Sequence, residues 1–230
     1  MIKLENTVLP SPQQMEFVIE GMRNPMNSWD KSDSYMNYCV SYDEGTDAEI
    51  HHLYYRIGAG DYSLMKKLSQ AGTDHRKFMR MMPVYVRITA PLYWWKEFDT
   101  YKVGTVANSC STMHKIQEKE FTLDDFSCEH LSEGGYGNIK LLKSIIICLN
   151  VARDWFIKTK DKEFWWQMIQ LLPSSYNQTR NVMLNYEVLS NMYHSRKNHK
   201  LDEWREFCKW IEELPYSELI IDDEKLEIVE

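Results

Sequence analysis

Glycine and proline are scarce, nine and seven in 230 residues, and nowhere do they gather with serine into a linker. Nothing therefore divides the chain, and residues 1–220 are expected to form a single domain, followed by an acidic tail at 221–230 that frays. Basic charge is short as well. Twenty-seven Lys and Arg face thirty-four Asp and Glu, a net charge of -7, which argues against DNA or RNA as partner, because a general nucleic-acid binder needs a basic face to displace counterions from phosphates. The five cysteines, Cys39, Cys110, Cys128, Cys148 and Cys208, are odd in number and never form a CxxC, so they indicate neither a disulfide framework nor a zinc cluster. The longest apolar stretch, Leu141 to Phe156, is broken by Lys143, Arg153 and Asp154, and the N-terminal MIKLENTVLPSPQQ has no secretory apolar run. No membrane is expected, and the implied location is cytoplasmic. Phosphate-loop (GxxxxGK[ST]), dinucleotide (GxGxxG) and nucleophile-elbow (GxSxG) patterns are also missing, which leaves those enzyme classes without a motif. His51 and His52 are neighbours whose side chains diverge on either a helix or a strand, so they read as structural or solvent-facing, and no metal is expected.

What the chain has in quantity is large side chains: thirteen Met, eight Trp and fourteen Tyr. Such a composition favours packed helices and large interfaces. Leu64, Met65 and Leu68 at helical spacing before Gly72 predict a helix from Asp61 to Leu68 with a glycine stop. The run VYVRIT (Val84 to Thr89) alternates apolar and polar residues between Pro83 and Pro91 and predicts a strand. Pro91 then sits where a helix can begin, with Trp94, Trp95 and Phe98 on its apolar face. Leu142, Ile145, Ile146, Leu149 and Ala152 follow the 3.6 period and predict a buried helix from Leu141, and Trp204, Phe207, Cys208 and Ile211 repeat the pattern. Helices on both sides of a strand-bearing middle give an α+β class.

The segment AGTDHRKFMRMMPVYVRITAPLYWWKEFDTYKVGTVANSCS, Ala71 to Ser111, followed by LLPSSYNQTRNVMLNYEVLSNMYHSRKNHKLDEW, resembles the flavin-dependent thymidylate synthases. His75 and Phe78, Ala90-Pro91, the aromatic run Trp94 to Phe98, Thr100-Tyr101-Lys102 and Thr105 follow that family's order, and Leu172-Pro173, Asn185 and Arg196 fall at its mutual spacing. The resemblance implies a central sheet flanked by helices, a homotetramer, and methyl transfer to dUMP with FAD, NADPH and methylenetetrahydrofolate. It further implies that Ser28, His75, Tyr101, Lys102 and Asn185 face a cofactor, that Thr105, Asn108, Ser111 and His199 face a nucleotide or other small-molecule substrate, and that Arg196 is the catalytic cation.

The departures carry equal weight. Thr100 and Tyr101 stand where the family's signature has arginine and histidine, with Lys102 its one remaining basic position; Glu187 and Ile169 replace two further arginines. Its serine falls on Cys110 or, with one inserted residue, on Ser111 with Asn108 as the asparagine; Thr112 or Met113 takes the place of its last arginine. Planar guanidinium groups hold phosphates through charge-assisted hydrogen bonds, so FAD binding is expected to be weak or absent, with Glu187 repelling its phosphates. A non-catalytic or repurposed nucleotide-binding homo-oligomer is the alternative to an active enzyme. Arg196 is either the group that polarises the base or an ordinary cation at a helix end, His75 either touches a flavin ring or caps the middle strand, and Tyr101-Lys102 either line a pocket or close a helix. Trp94 and Trp95 read as core or interface before they read as a stacking platform, and Cys110 has too little basic company to be a reactive thiol.

Overall fold

The computed structural model describes residues 2–43, 45, 49–134 and 137–221; the acidic tail beyond 221 lies outside them. Strand β1 (Lys3–Val8) leads into helix α1 (Pro12–Arg23), which opens with a capping box in which Ser11 and Gln14 satisfy each other's backbone N–H groups and Pro12 takes the first turn. A two-stranded ribbon follows, β2 (Tyr35–Tyr42) and β3 (Glu49–Arg56), then α2 (Ala59–Gln70). This helix contains the expected 61–68 segment, and Gly72, at φ +98°, lies just past its end. After a 3-10 turn at Arg76–Met81 come β4 (Pro83–Pro91), α3 (Leu92–Phe98) and β5 (Val106–Ser109). The chain continues through α4 (Asn138–Thr159), α5 (Lys162–Leu171), β6 (Asn177–Asn185), α6 (Tyr186–Arg196), α7 (Asp202–Glu212) and α8 (Glu218–Ile221). The class is α+β.

Four strands form one antiparallel sheet in the order β1-β4-β6-β5. The alternation in VYVRIT becomes its inner face: Val84, Val86 and Ile88 are buried, Tyr85 and Arg87 exposed. Opposite them on β6, Leu184 pairs with Val84 and Val182 with Val86, and both are buried. Pro91 ends β4 and serves as the N-cap of α3, whose first N–H groups, on Leu92 and Tyr93, donate to the carbonyls of Tyr176 and Ser174. That entry drives Trp94, Trp95 and Phe98 into the core, where Trp94 packs 4.9 Å from Trp95 and 4.8 Å from Trp204, ring centre to ring centre. Trp94 and Trp95 are thus core residues.

A second apolar cluster lies under α4 and α5, built from Leu142, Ile146, Leu149, Ala152, Met168 and Phe126. Of the positions expected to be buried on this helix, Leu142, Ile146, Leu149 and Ala152 are buried and Ile145 is half-buried. α4 buries one stripe, while Leu141, Ile147, Val151 and Trp155 remain 47–64% exposed, because α5 covers one side of this 22-residue helix.

The β2–β3 ribbon is anchored at its base by Asp61, which is 0% exposed and accepts from Arg23 Nε at 2.6 Å, the Ser32 and Ser34 hydroxyls at 2.6 Å each, and the backbone N–H groups of Asp33 and Ser34. Burial alone would raise the Asp61 carboxyl, but Ser32, Ser34 and Arg23 outweigh it and hold the group below its usual range. Asp33 caps α2 by accepting from Gly60 and Asp61 N–H; a Cβ on Gly58 would lie 2.2 Å from the Asp33 carboxyl carbon, so only glycine fits. His51 and His52 lie exposed on β3, one 3.6 Å from Glu49 and the other 2.8 Å from Ser41. No group of three potential metal ligands occurs among the described residues, and no described helix is long and apolar enough to cross a membrane.

Candidate functional site

Helix α6 organises the site. Asn185 is its N-cap, its side-chain oxygen accepting from Val188 N–H at 2.9 Å. Arg196 is its last residue, partly buried against α3 and α7. The Arg196 guanidinium donates through Nε to the Tyr101 hydroxyl at 3.0 Å and through Nη1 to Glu97 Oε2 at 2.8 Å. Its carbon sits 4.9 Å from the Trp204 ring centre and 5.7 Å from that of Tyr101, within cation–π range of both. Glu97 Oε2 also accepts from Trp204 Nε1 at 2.9 Å and lies 3.4 Å from His199 Nε2. His199 Nδ1 accepts from Leu201 N–H at 3.2 Å, which assigns the ring proton to Nε2, toward Glu97.

The turn after α3 brings two further residues toward this cluster. Thr105 donates its hydroxyl to the Tyr101 carbonyl. Gly104, at φ +79°, lies so close to Asn185 that an added Cβ would be 2.8 Å from its side-chain nitrogen. Tyr101, Arg196 and His199 thereby gather around Glu97, with Thr105 bonded to the Tyr101 backbone, whereas Asn185, beside Gly104, caps the opposite end of the 11-residue α6 from Arg196. Lys102 is exposed in the same turn.

The remaining candidate residues make their contacts elsewhere. Asn108, on β5, pairs with Asn181 and lines a cavity of about 380 Å³ with Tyr85, Arg87 and Val106 on the outer face of the sheet. Ser111 accepts from the N–H groups of Met113 and His114. His75 is exposed just before the 3-10 turn, and Ser28 lies against Arg23 Nη1 at 3.4 Å.

Glu187 has a different environment from an isolated repelling charge. Its Oε1 accepts from Arg76 Nε at 3.3 Å and Arg80 Nη2 at 3.1 Å, and its Oε2 from Arg80 Nε; Arg76 Nη2 goes on to Asn191 at 3.2 Å. Burial pushes the Glu187 carboxyl up, but the two arginines more than offset this and leave it below its ordinary value. Successive α-helical residues turn by about 100°, so Glu187 and Arg196, nine positions apart, point to opposite sides of α6. The contacts agree: Glu187 meets the Arg76–Met81 turn, Arg196 meets α3 and α7.

Four functional candidates were not visible as such in the sequence. Glu97 and Trp204 sit within apolar helical patterns, and Arg76 and Arg80 form an i, i+4 pair whose partner is over 100 residues away. The i, i+4 spacing of two arginines was the one available signal.

No family model and no curated protein sequence matches the chain. Among solved structures, thymidylate synthase X from Helicobacter pylori with FAD and dUMP superposes with a TM-score of 0.63 at 16% identity, over 96% of this chain and 97% of that one. A second structure of the Helicobacter pylori enzyme, also with FAD and dUMP, gives 0.61 at 16% identity over 96% and 98%. The UMP/dUMP methylase PolB from Streptomyces cacaoi, bound to 5-Br dUMP, gives 0.53 at 13% over 92% and 88%. The fold is therefore that of the flavin-dependent thymidylate synthases from end to end.

Proposed function

We propose that this chain is a pyrimidine-nucleotide-binding homo-oligomer built on the thymidylate synthase X fold, taking dUMP or a close analogue and binding FAD weakly or not at all. The observation that carries the reading is the Arg196 cluster: an arginine at the family's spacing, held against the packed rings of Tyr101 and Trp204, with His199 sharing its partner Glu97. Two sets of solved relatives hold dUMP or its 5-bromo derivative. The residues do not suit FAD equally well. Its diphosphate needs more than one free cation, whereas Glu187 balances one of the two charges of Arg76 and Arg80, and Thr100 and Ile169 carry none. Methyl transfer with FAD, NADPH and methylenetetrahydrofolate is thus the less supported reading; protein that purifies yellow and keeps its flavin through gel filtration would favour it.

The assembly we propose is a homotetramer in the cytoplasm. Asn185 and Arg196 lie toward one side of α6 and position 187 toward the other, so a pocket using both sides draws on more than one chain. The uncovered stripe of α4, Leu141, Ile147, Val151 and Trp155, offers apolar area for such contacts.

Calorimetric titration with dUMP tests the reading. Wild-type protein is expected to bind, and Arg196→Ala to weaken binding roughly tenfold to a hundredfold, as loss of a charge-assisted hydrogen bond implies. Equal affinity in the two proteins would reduce Arg196 to a helix-end cation.

A further inference from the structure

Three donors converge on a single oxygen beside the proposed nucleotide site. Glu97 Oε2 receives Arg196 Nη1 at 2.8 Å and Trp204 Nε1 at 2.9 Å, with His199 Nε2 at 3.4 Å. Arg196 cannot easily turn away from this carboxylate, since its Nε is bonded to Tyr101 and its guanidinium lies against the rings of Trp204 and Tyr101, which pack on each other at 6.1 Å. A ligand reaching Arg196 therefore meets a cation whose charge the protein has already balanced. We propose that Glu97 is the specificity-determining residue of this site, selecting the uncharged edge of a pyrimidine ring and rejecting an anionic group.

The inference rests on the nucleotide-binding reading and adds to it a rule about which part of the nucleotide faces Arg196. The physical ground is the distance dependence of charge interactions. An anion drawn to Arg196 is repelled by Glu97 only a few ångströms farther away, so much of the attraction is cancelled. A neutral ring loses little, because the guanidinium N–H groups not spent on Glu97 and Tyr101 still donate to ring carbonyl oxygens. The arginine then holds the ring while polarising it less than an unpaired cation would. Any phosphate of the ligand must be held elsewhere.

Glu97→Gln tests the proposal, since it removes the charge, keeps the length and leaves a carbonyl oxygen for Trp204 and Arg196. Titrations would use inorganic phosphate and deoxyuridine as separate probes. The expected result is that phosphate binding tightens by about tenfold or more relative to deoxyuridine, the scale set by about 1.4 kcal/mol per decade, and that the gain disappears in the Glu97→Gln/Arg196→Ala double variant. A folded Glu97→Gln protein with an unchanged phosphate-to-deoxyuridine ratio would overturn the proposal, as would equal weakening of both probes, the mark of a merely structural clamp. Glu97→Met, uncharged and of similar length, provides the same comparison if the glutamine variant does not fold. Failure of deoxyuridine to bind any of these proteins would remove the nucleotide reading instead, and the phosphate affinity of Glu97→Gln against wild type, expected to rise by about the same tenfold, then tests Glu97 by itself.

Discussion

At the scale of single residues, two heavily bonded carboxylates, Asp61 and Glu187, have partners far away in sequence. Asp61 and Arg23 form a buried pair, with side chains 0% and 7% exposed, and removing one partner of such a pair leaves an uncompensated charge or dipole costing about 3–5 kcal/mol. Asp61→Asn should lower stability on that scale in chemical denaturation at neutral pH. The pH dependence has a definite sign. The folded-state carboxyl lies below the usual 3.8, so its stabilisation is complete above that value and is lost as pH falls through the lower folded-state one. The gap between wild type and Asp61→Asn should therefore narrow in acid; a gap that widens below pH ~4 would contradict this account of the network. Glu187 shows why such pairs escape sequence reading. Taken alone it predicts repulsion of phosphate, whereas Arg76 and Arg80, placed beside it by the fold, compensate its charge. Arg196 was a candidate from the spacing of the resemblance, but Glu97, the carboxylate it is bonded to, was not, because a glutamate within an aromatic helix reads as a solvated position.

Elements were legible wherever one face is buried and the other wet. β4 declares itself by alternation, and α7 by Trp204, Phe207, Cys208 and Ile211, all of them buried. The β2–β3 ribbon gives no such signal: both of its faces are largely exposed, so neither face is uniformly apolar. α4 was legible along its buried stripe, whereas its second apolar stripe, Leu141, Ile147, Val151 and Trp155, carries no sequence signal that the fold leaves it uncovered. Two element-scale predictions follow from local geometry. Asn185→Ala removes the cap of α6 and should cost about 1 kcal/mol in thermal or denaturant melts. Gly104→Ala should cost stability as well, through its left-handed backbone and its contact with Asn185, and should weaken dUMP binding by displacing the Tyr101 turn. A Gly104→Ala protein as stable and as tight-binding as wild type would show that this turn does not support the site.

For the whole molecule, the α+β class and the likeness in fold to the thymidylate synthase X structures could be read from the sequence, because they depend on patterns that recur along the chain. Which residues share a pocket could not, since that is decided by how α3, α6 and α7 meet. Residues 1–220 are proposed to form a single domain, in which Tyr176 packs against Phe121 and Phe126 at 6.2 and 5.6 Å in the second cluster while its carbonyl accepts from Leu92 N–H at the start of α3. Unfolding should then show one cooperative transition by fluorescence and circular dichroism alike. Charge on the uncovered stripe of α4 should reveal the assembly: Val151→Lys is expected to lower the oligomeric mass in light scattering while leaving the monomer's helical content intact, and an unchanged mass would exclude this face as an interface.

The central claim is that this fold is retained for pyrimidine nucleotides in an oligomer that has parted from flavin. Native mass spectrometry of the protein as purified tests all three parts together. The account predicts a species of about four times 27.5 kDa that takes up added dUMP and carries no flavin. A species of one chain that ignores dUMP, or a tetramer holding FAD in every subunit, would contradict it.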